Sequence, residues 1–383
     1  MKVCVISPSY PYGKIHRYYF VEQLCNTLAD QGHDITVISP QSLTKSLIRQ
    51  EEKVPYYHVF STKLGCTVKI YQPTCITVGN MPIIGKAIYF KGYANAIKKV
   101  INKEKINPDV FYCHFWHTAY WTYTSIKKLN KPIFVASGEA EIDLHKVIPL
   151  KKLENFVNSI RGVICVSTKN KKESINAGLT KEEKCIIIPN AIDSKLFYYH
   201  DKKLARKKLG FSLEDFIVSF VGGFIYRKGS LRLSQAIDSL KDDYIKSIYI
   251  GGVQDGDRCE PTGKDIIFKG RLKHDEIPLY LACSDVFVLP TLHEGCSNAI
   301  VEALACGIPV ISSDLDFNYD ILNKNNSILI DPNNINEIAE AIKKLKEDKI
   351  LSDRLSQGAL ETAKELTIDV RAKKIIQFIK SRI

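Results

Sequence analysis

At 383 residues the chain exceeds what one hydrophobic core usually organises, so two domains of comparable size are expected. A content of 45% hydrophobic and 25% charged residues is that of a globular protein and excludes the disordered, fibrous and membrane-spanning classes. The net charge of +12 is unevenly placed: residues 1–193 carry 26 Lys and Arg against 15 Asp and Glu, and residues 194–383 carry 28 against 27. A basic N-terminal half suits an anionic membrane surface or an anionic acceptor, although lysines on ordinary solvated helix faces give the same count. Nucleic-acid binding would rest on charge alone and is not expected.

The opening "MKVCVISPSYP" reads as a β-strand closed by proline and serine, without the apolar core of a signal peptide. No stretch reaches the roughly 18 apolar residues of a spanning helix. A cytoplasmic protein is expected, with peripheral attachment to the inner face of the cell membrane as an extension of that reading. "YYFVEQLCNTLADQGH" follows as an amphipathic helix, with Gly32-His33 as a C-cap and a dipole-facing histidine. "DITVIS", "DVFYCH", "PIFVAS" and "GVICVS" read as further strands. Between them, "IGKAIYFKGYANAIKKVINKEKIN" mixes lysine and apolar residues at helical spacing, either as a solvated amphipathic helix or as one resting on an anionic bilayer. "FYCHFWHTAYWTYTSI" holds both Trp116 and Trp121, rings that either stack on an acceptor or fill a core.

After "KCIIIPNAIDSKLF" the strand–helix pattern restarts with "FIVSFVGG", "SIYIGG", "DIIFKG", "DVFVLP", "IPVISS" and "SILIDP". The expected organisation is therefore α/β: two doubly wound, Rossmann-like domains, residues 1–190 and 191–383, facing across a cleft. The C-terminal helix closes the second domain or packs back on the first. Eleven cysteines without a Cys-x-x-Cys pair read as buried, reduced thiols.

Chemistry concentrates in "HEGCSNAIVEALACGIPVI", residues 293–311. A strand ends at proline, and a helix begins near Ser297 or Asn298 and stops at Gly307, so the amides of Gly295, Cys296 and Ser297 face an anion at a positive helix end. Glu294 lies before that helix and Glu302 inside it, about 12 Å apart along the axis at helical rise. Paired carboxylates of glycoside hydrolases need about 5–9.5 Å, so these two grip different parts of one long ligand, as a nucleotide sugar would require. A second anion feature is "VGGFIYRKGSLRLSQAI", where Gly222 and Gly223 end a strand and Arg227 and Lys228 precede a helix. The Asp pairs of "DGD" (Asp255, Asp257) and "DLD" (Asp314, Asp316) read as solvated turns rather than a metal site.

"LPTLHEGCSNAIVEALACGIPVI", with Glu294-x7-Glu302, resembles the diagnostic segment of the retaining GT-B glycosyltransferases of family 4, the bacterial cell-surface polysaccharide type. "KGRLKHDEIPLYLACSDVFVLP", "IIIPNAIDSKLF" and "VGGFIYRKGS" add to the likeness. The resemblance implies that Glu302 binds the ribose hydroxyls and Glu294 the sugar. The amides of Gly295 to Asn298, with Gly222 and Gly223, would cradle phosphate, Lys228 and Arg227 would stabilise the leaving diphosphate, and Arg271 and Leu272 would lie at the base. It implies a nucleotide-diphosphate sugar, UDP-sugar favoured, as co-substrate, no bound cofactor and no obligatory metal. A lipid-linked or oligosaccharide acceptor would meet the N-terminal domain. There the family often shows His-Gly, where this chain has Ser137-Gly138, and Glu139 or His114 is the substitute for sugar contact or proton transfer. The early glycine-rich loop is reduced to Gly13, with Arg17 as its phosphate or acceptor contact, and Gly223 stands where an arginine is common. A nucleotide-sugar epimerase of the same fold and a non-catalytic nucleotide- or partner-binding protein are the alternatives.

Overall fold

A computed structural model describes residues 1–13, 17–48, 52–77, 84–126, 129–139, 141–254 and 256–383. They form two compact units, Met1–Ile188 with Ala372–Ile383, and Pro189–Arg371. The last helix, Ile368–Lys380, thus begins in the second unit and ends in the first.

The first unit contains β1 (Lys2–Ile6), β2 (Asp34–Ile38), β3 (Gln41–Ser42), β4 (Tyr57–Ser61), β5 (Thr67–Tyr71), β6 (Thr74–Cys75), β7 (Val110–His114), β8 (Ile133–Ser137), β9 (Ile160–Cys165) and β10 (Cys185–Ile187). Eight of them make one sheet in the order β10-β9-β8-β7-β1-β2-β5-β4, while β3 and β6 pair separately. Its central strands β7 and β8 are buried along their whole length, as a parallel sheet covered on both faces requires. The edge departs from the all-parallel expectation, because β4 runs antiparallel to β5. The loop between them is too short for a crossover, and it closes with a Gly65 amide bond to the Thr62 carbonyl at φ +81°.

The second unit contains β11 (Phe216–Val221), β12 (Ile245–Ile250), β13 (Ile266–Gly270), β14 (Val286–Leu289), β15 (Val310–Ser313) and β16 (Ser327–Ile330), all parallel, in the order β13-β12-β11-β14-β15-β16. The strand order reverses between β11 and β14, and ligands in such sheets bind beyond the carboxyl ends of the strands at that point.

Trp116 and Trp121 are both 1% exposed and belong to the core of the first unit, where Trp121 stacks on Tyr93 with ring centres 4.1 Å apart. The core-filling alternative is therefore the one realised. All eleven cysteines are free, and Cys66, Cys185 and Cys259 are the partly exposed ones. Gly32 has the left-handed φ of a C-cap, while burial holds His33 below its ordinary value, so a neutral ring follows that helix.

Candidate active site

The two loops singled out in the sequence leave adjacent strands. The loop Gly222–Gly229 follows β11, and the loop Pro290–Ser297 follows β14, so both open at the point where the strand order reverses. Their backbones are tied by the Leu292 amide donating to the Arg227 carbonyl at 2.8 Å. Gly229 makes this approach possible. At φ +80°, a Cβ there would stand 2.6 Å from the Pro290 carbonyl oxygen, which leaves no room for another residue.

Arg232, in the helix Ser230–Leu240, braces the same junction from beneath. Its buried guanidinium donates to the carbonyls of Pro332 (2.8 Å), Tyr226 (2.9 Å) and Pro290 (2.8 Å). Three carbonyls from three loops are thereby satisfied by one planar cation.

Above that brace, one oxygen of Glu294 gathers three donors. Oε1 lies 2.8 Å from Arg227 Nη1, 2.5 Å from Lys228 Nζ and 2.9 Å from Thr291 Oγ1. Arg227 also donates to the His293 carbonyl. Burial alone would raise the Glu294 carboxyl, but Lys228 and Arg227 outweigh it and hold it below the ordinary carboxylate range. The two cations and the carboxylate form a compact, partly buried cluster of net positive charge.

The helix Asn298–Ala305 starts beside it. Ser297 is its N-cap residue yet makes no side-chain capping bond, so the first amides are not closed off by their own cap. Asn190 fixes the turn by donating to the Cys296 carbonyl (3.0 Å) and to Asn298 Oδ1 (2.8 Å). Gly295 and Cys296 are buried, and burial pushes the Cys296 thiol up to about 11, which leaves it inert at neutral pH. One turn further, Glu302 is buried and meets His274, whose Nε2 is 3.1 Å from Oε1. Arg271 is exposed after β13, with Nη2 3.4 Å from the Val253 carbonyl, and Leu272 beside it is partly buried. Gly223 lies under Gln254, whose Nε2 would stand 2.8 Å from an added Cβ.

The two glutamates thus belong to separate networks, Glu294 with the cations and Glu302 with a histidine. Sequence reading missed His274, Asn190 and Arg232. The partners of His274 and Arg232 lie 28 and up to 100 positions away, so no local spacing marks them.

In the first unit the candidates sit at the carboxyl ends of β1, β7 and β8, where that sheet also reverses its order. Gly13 has φ +54°, and a side chain there would run into the Glu52 carboxylate. Arg17 is exposed. Burial raises the neighbouring Tyr18 hydroxyl, with Arg17 pulling it down and Glu139 pushing it up, which puts both charges close to that ring. His114 ends β7 in an aromatic surround, 5.2 Å from Tyr112 and 5.8 Å from Phe20 between ring centres.

Glu139 is held on both oxygens. Oε1 accepts from the Trp116 amide at 2.6 Å, and Oε2 from the Gly138 amide at 2.9 Å and the buried Ser137 hydroxyl at 3.0 Å. Trp116 begins a helix whose N-cap residue, Phe115, supplies no side-chain bond, so Glu139 acts as its cap. Burial pushes this carboxyl up to about 7 despite those donors. The Glu139 singled out in the sequence is thus found as the carboxylate that caps this helix, with a value raised to about 7.

Of the "DGD" pair, Asp255 lies outside the described residues. Asp257 accepts from the Tyr226 amide at 3.0 Å, and Asp314 from the Tyr319 hydroxyl at 3.0 Å. Among the described residues no cluster of three His, Cys, Asp or Glu side chains could hold a metal ion, and no helix is long and apolar enough to cross a membrane.

Residues 201–362 match the family described as "Glycosyl transferases group 1", and residues 19–196 match "Glycosyltransferase Family 4". The chain is 26% identical over 378 residues to a Bacillus subtilis protein named as the teichuronic acid biosynthesis glycosyltransferase TuaC, covering 94% of this chain and 93% of that one. It is 30% identical over 275 residues to the Escherichia coli UDP-Gal:alpha-D-GlcNAc-diphosphoundecaprenol alpha-1,3-galactosyltransferase, covering 67% and 70%. Among solved structures it is similar to a sucrose-phosphate synthase from Thermosynechococcus elongatus, with a TM-score of 0.78, 18% identity, and 99% and 98% coverage.

Proposed function

The chain belongs to the GT-B glycosyltransferases of family 4, and from that membership we propose that it transfers a sugar, with retention, from a nucleotide-diphosphate sugar to a lipid-linked or saccharide acceptor in bacterial polysaccharide biosynthesis. The observation that carries this reading is the Arg227–Lys228–Glu294 cluster beside an uncapped helix start. Two cations and the helix's first amides lie in the two loops where a diphosphate would leave, and Glu294 holds the cations there until it arrives.

In the proposed reaction the diphosphate lies between the amides of Gly295 to Asn298 and the side chains of Arg227 and Lys228, which accept its charge as the glycosidic bond breaks. Phosphate oxygens then take over donors that Glu294 holds, and its carboxylate turns to a sugar hydroxyl. Glu302 receives the ribose hydroxyls, with Arg271 and Leu272 beside the base. UDP is the favoured nucleotide, in keeping with the donor in the name of the Escherichia coli relative, which also names a diphosphoundecaprenol acceptor. No cofactor or metal is assigned a step. Arg17 and His114 are proposed to meet the acceptor, and Glu139 keeps its capping job.

Thermal unfolding with UDP, GDP, ADP and CMP, alongside Glu302→Ala, tests the donor site. A nucleotide present at about 100 times its dissociation constant should stabilise by about 2.7 kcal/mol. The expected outcome is that UDP raises the wild-type midpoint and leaves that of Glu302→Ala unmoved. No shift with any nucleotide at millimolar concentration would remove the reading.

A further inference from the structure

His274 lies in the loop that follows β13 and reaches the helix Asn298–Ala305. Its Nε2 is 3.1 Å from Oε1 of Glu302. The carboxylate side chain is 11% exposed and the imidazole 41%, so the acid is inside and the ring stands at the solvent edge. Phe197, itself buried, packs on the imidazole with ring centres 5.1 Å apart at 60°. An imidazole held between an aromatic ring and a carboxylate keeps one orientation, and so does the carboxylate.

We infer that His274 is a positioning residue for Glu302: by holding Oε1 it presents Oε2 to the hydroxyls of a bound ribose and fixes the carboxylate before the nucleotide arrives. This rests on the reading of Glu302 as the ribose-binding group. A glutamate on a helix otherwise samples several rotamers, and ordering it would be charged against binding. A bond to Oε1 removes that cost without using the second oxygen.

The contact depends on charge. The hydrogen bond that the imidazole donates to Glu302 chiefly raises the His274 value above the ordinary 6.5, burial opposes it, and the charges of Glu302, Asp275 and Asp193 add to the rise. Those acids come from the helix, from the same loop, and from the segment after Asn190. Cys306, which also faces Glu302, is pushed up to about 12 by burial and stays neutral. The charged pair is therefore present on the acid side of the histidine titration within the tested range and is lost as pH rises through the raised His274 value. A neutral ring retains a weaker bond, so nucleotide affinity should fall over that interval.

The test is calorimetric titration of the full chain with UDP between about pH 6 and about pH 9, a range that brackets histidine titration. His274→Ala, His274→Gln and Glu302→Ala are compared with wild type as affinity ratios at each pH, because the UDP phosphate itself titrates near pH 6 and cancels in the ratio. His274→Ala should weaken UDP roughly ten-fold at the acid end, the scale of a charge-assisted bond, and approach wild type at the alkaline end. His274→Gln, a donor of constant charge, should bind within about three-fold of wild type at the alkaline end, and its own affinity should carry only the pH dependence of UDP. In sugar-transfer assays the loss should fall on donor KM, with kcat nearly unchanged. Wild-type affinity and pH profile in His274→Ala, with binding lost in Glu302→Ala, would overturn the positioning role alone. Undiminished UDP binding by Glu302→Ala would instead overturn the ribose reading and the His274 role together.

Discussion

Glu294 shows how much a single carboxylate can be asked to hold. Its Oε1 receives Arg227, Lys228 and Thr291, and the two cations keep it below the ordinary carboxylate range although burial would raise it. A carboxylate depressed on folding stabilises above its unfolded value, 4.5, and that contribution is lost as pH falls through the lower folded value. Glu294→Gln should therefore cost about 1–2 kcal/mol at neutral pH, the scale of bonds to a charged group, and the difference from wild type should vanish in acid. Urea unfolding at neutral pH and below the carboxylate range checks this. The x7 spacing made Glu294 and Glu302 legible in the sequence, because it spans one loop and one helix. His274 and Arg232 were illegible, since their partners are set by the path of distant strands.

At the scale of elements, strands and helices were mostly readable because their periodicities differ and their ends carry Gly, Pro and Asn. The antiparallel β4 was not, since alternation in "YHVFS" says nothing of direction until the short return at Gly65 is seen. The helix Trp116–Ser125 lay in a stretch read only for its aromatic rings, and its cap was equally hidden, because Glu139 arrives from the end of β8 and not from the preceding residue. Glu139→Ala should destabilise the first unit by about 1–2 kcal/mol, as removal of an N-cap does. The folded carboxyl stands at about 7 against an ordinary 4.5, so the stability it contributes is full below the lower value and falls as pH rises through the upper one. The penalty of Glu139→Ala should accordingly shrink between mildly acid and mildly alkaline pH, as read by chemical denaturation.

At the scale of the molecule, the two halves of the chain differ in charge. The excess of Lys and Arg lies in residues 1–193, and the same half exposes Leu43, Leu47, Ile48, Val59, Phe60 and Ile76. Whether that charge excess serves an anionic lipid surface is tested directly. Sedimentation with vesicles should retain the protein on phosphatidylserine-containing membranes and not on neutral phosphatidylcholine, and salt should release it. Equal binding to both lipids, or to neither, would remove the membrane from the account.

The sequence by itself determined the α/β class of the chain and the strand-to-helix setting of the loops that carry Glu294, Lys228 and Glu302. Each of these depends on local periodicity or on spacing along a single loop and helix. Only the tertiary structure decided that Arg227 and Lys228 converge on one oxygen of Glu294, that Glu139 caps a helix, and that His274 meets Glu302. Those contacts join strands far apart in the chain, and the order of strands in a sheet is fixed by packing around a core rather than by any residue's neighbours in sequence.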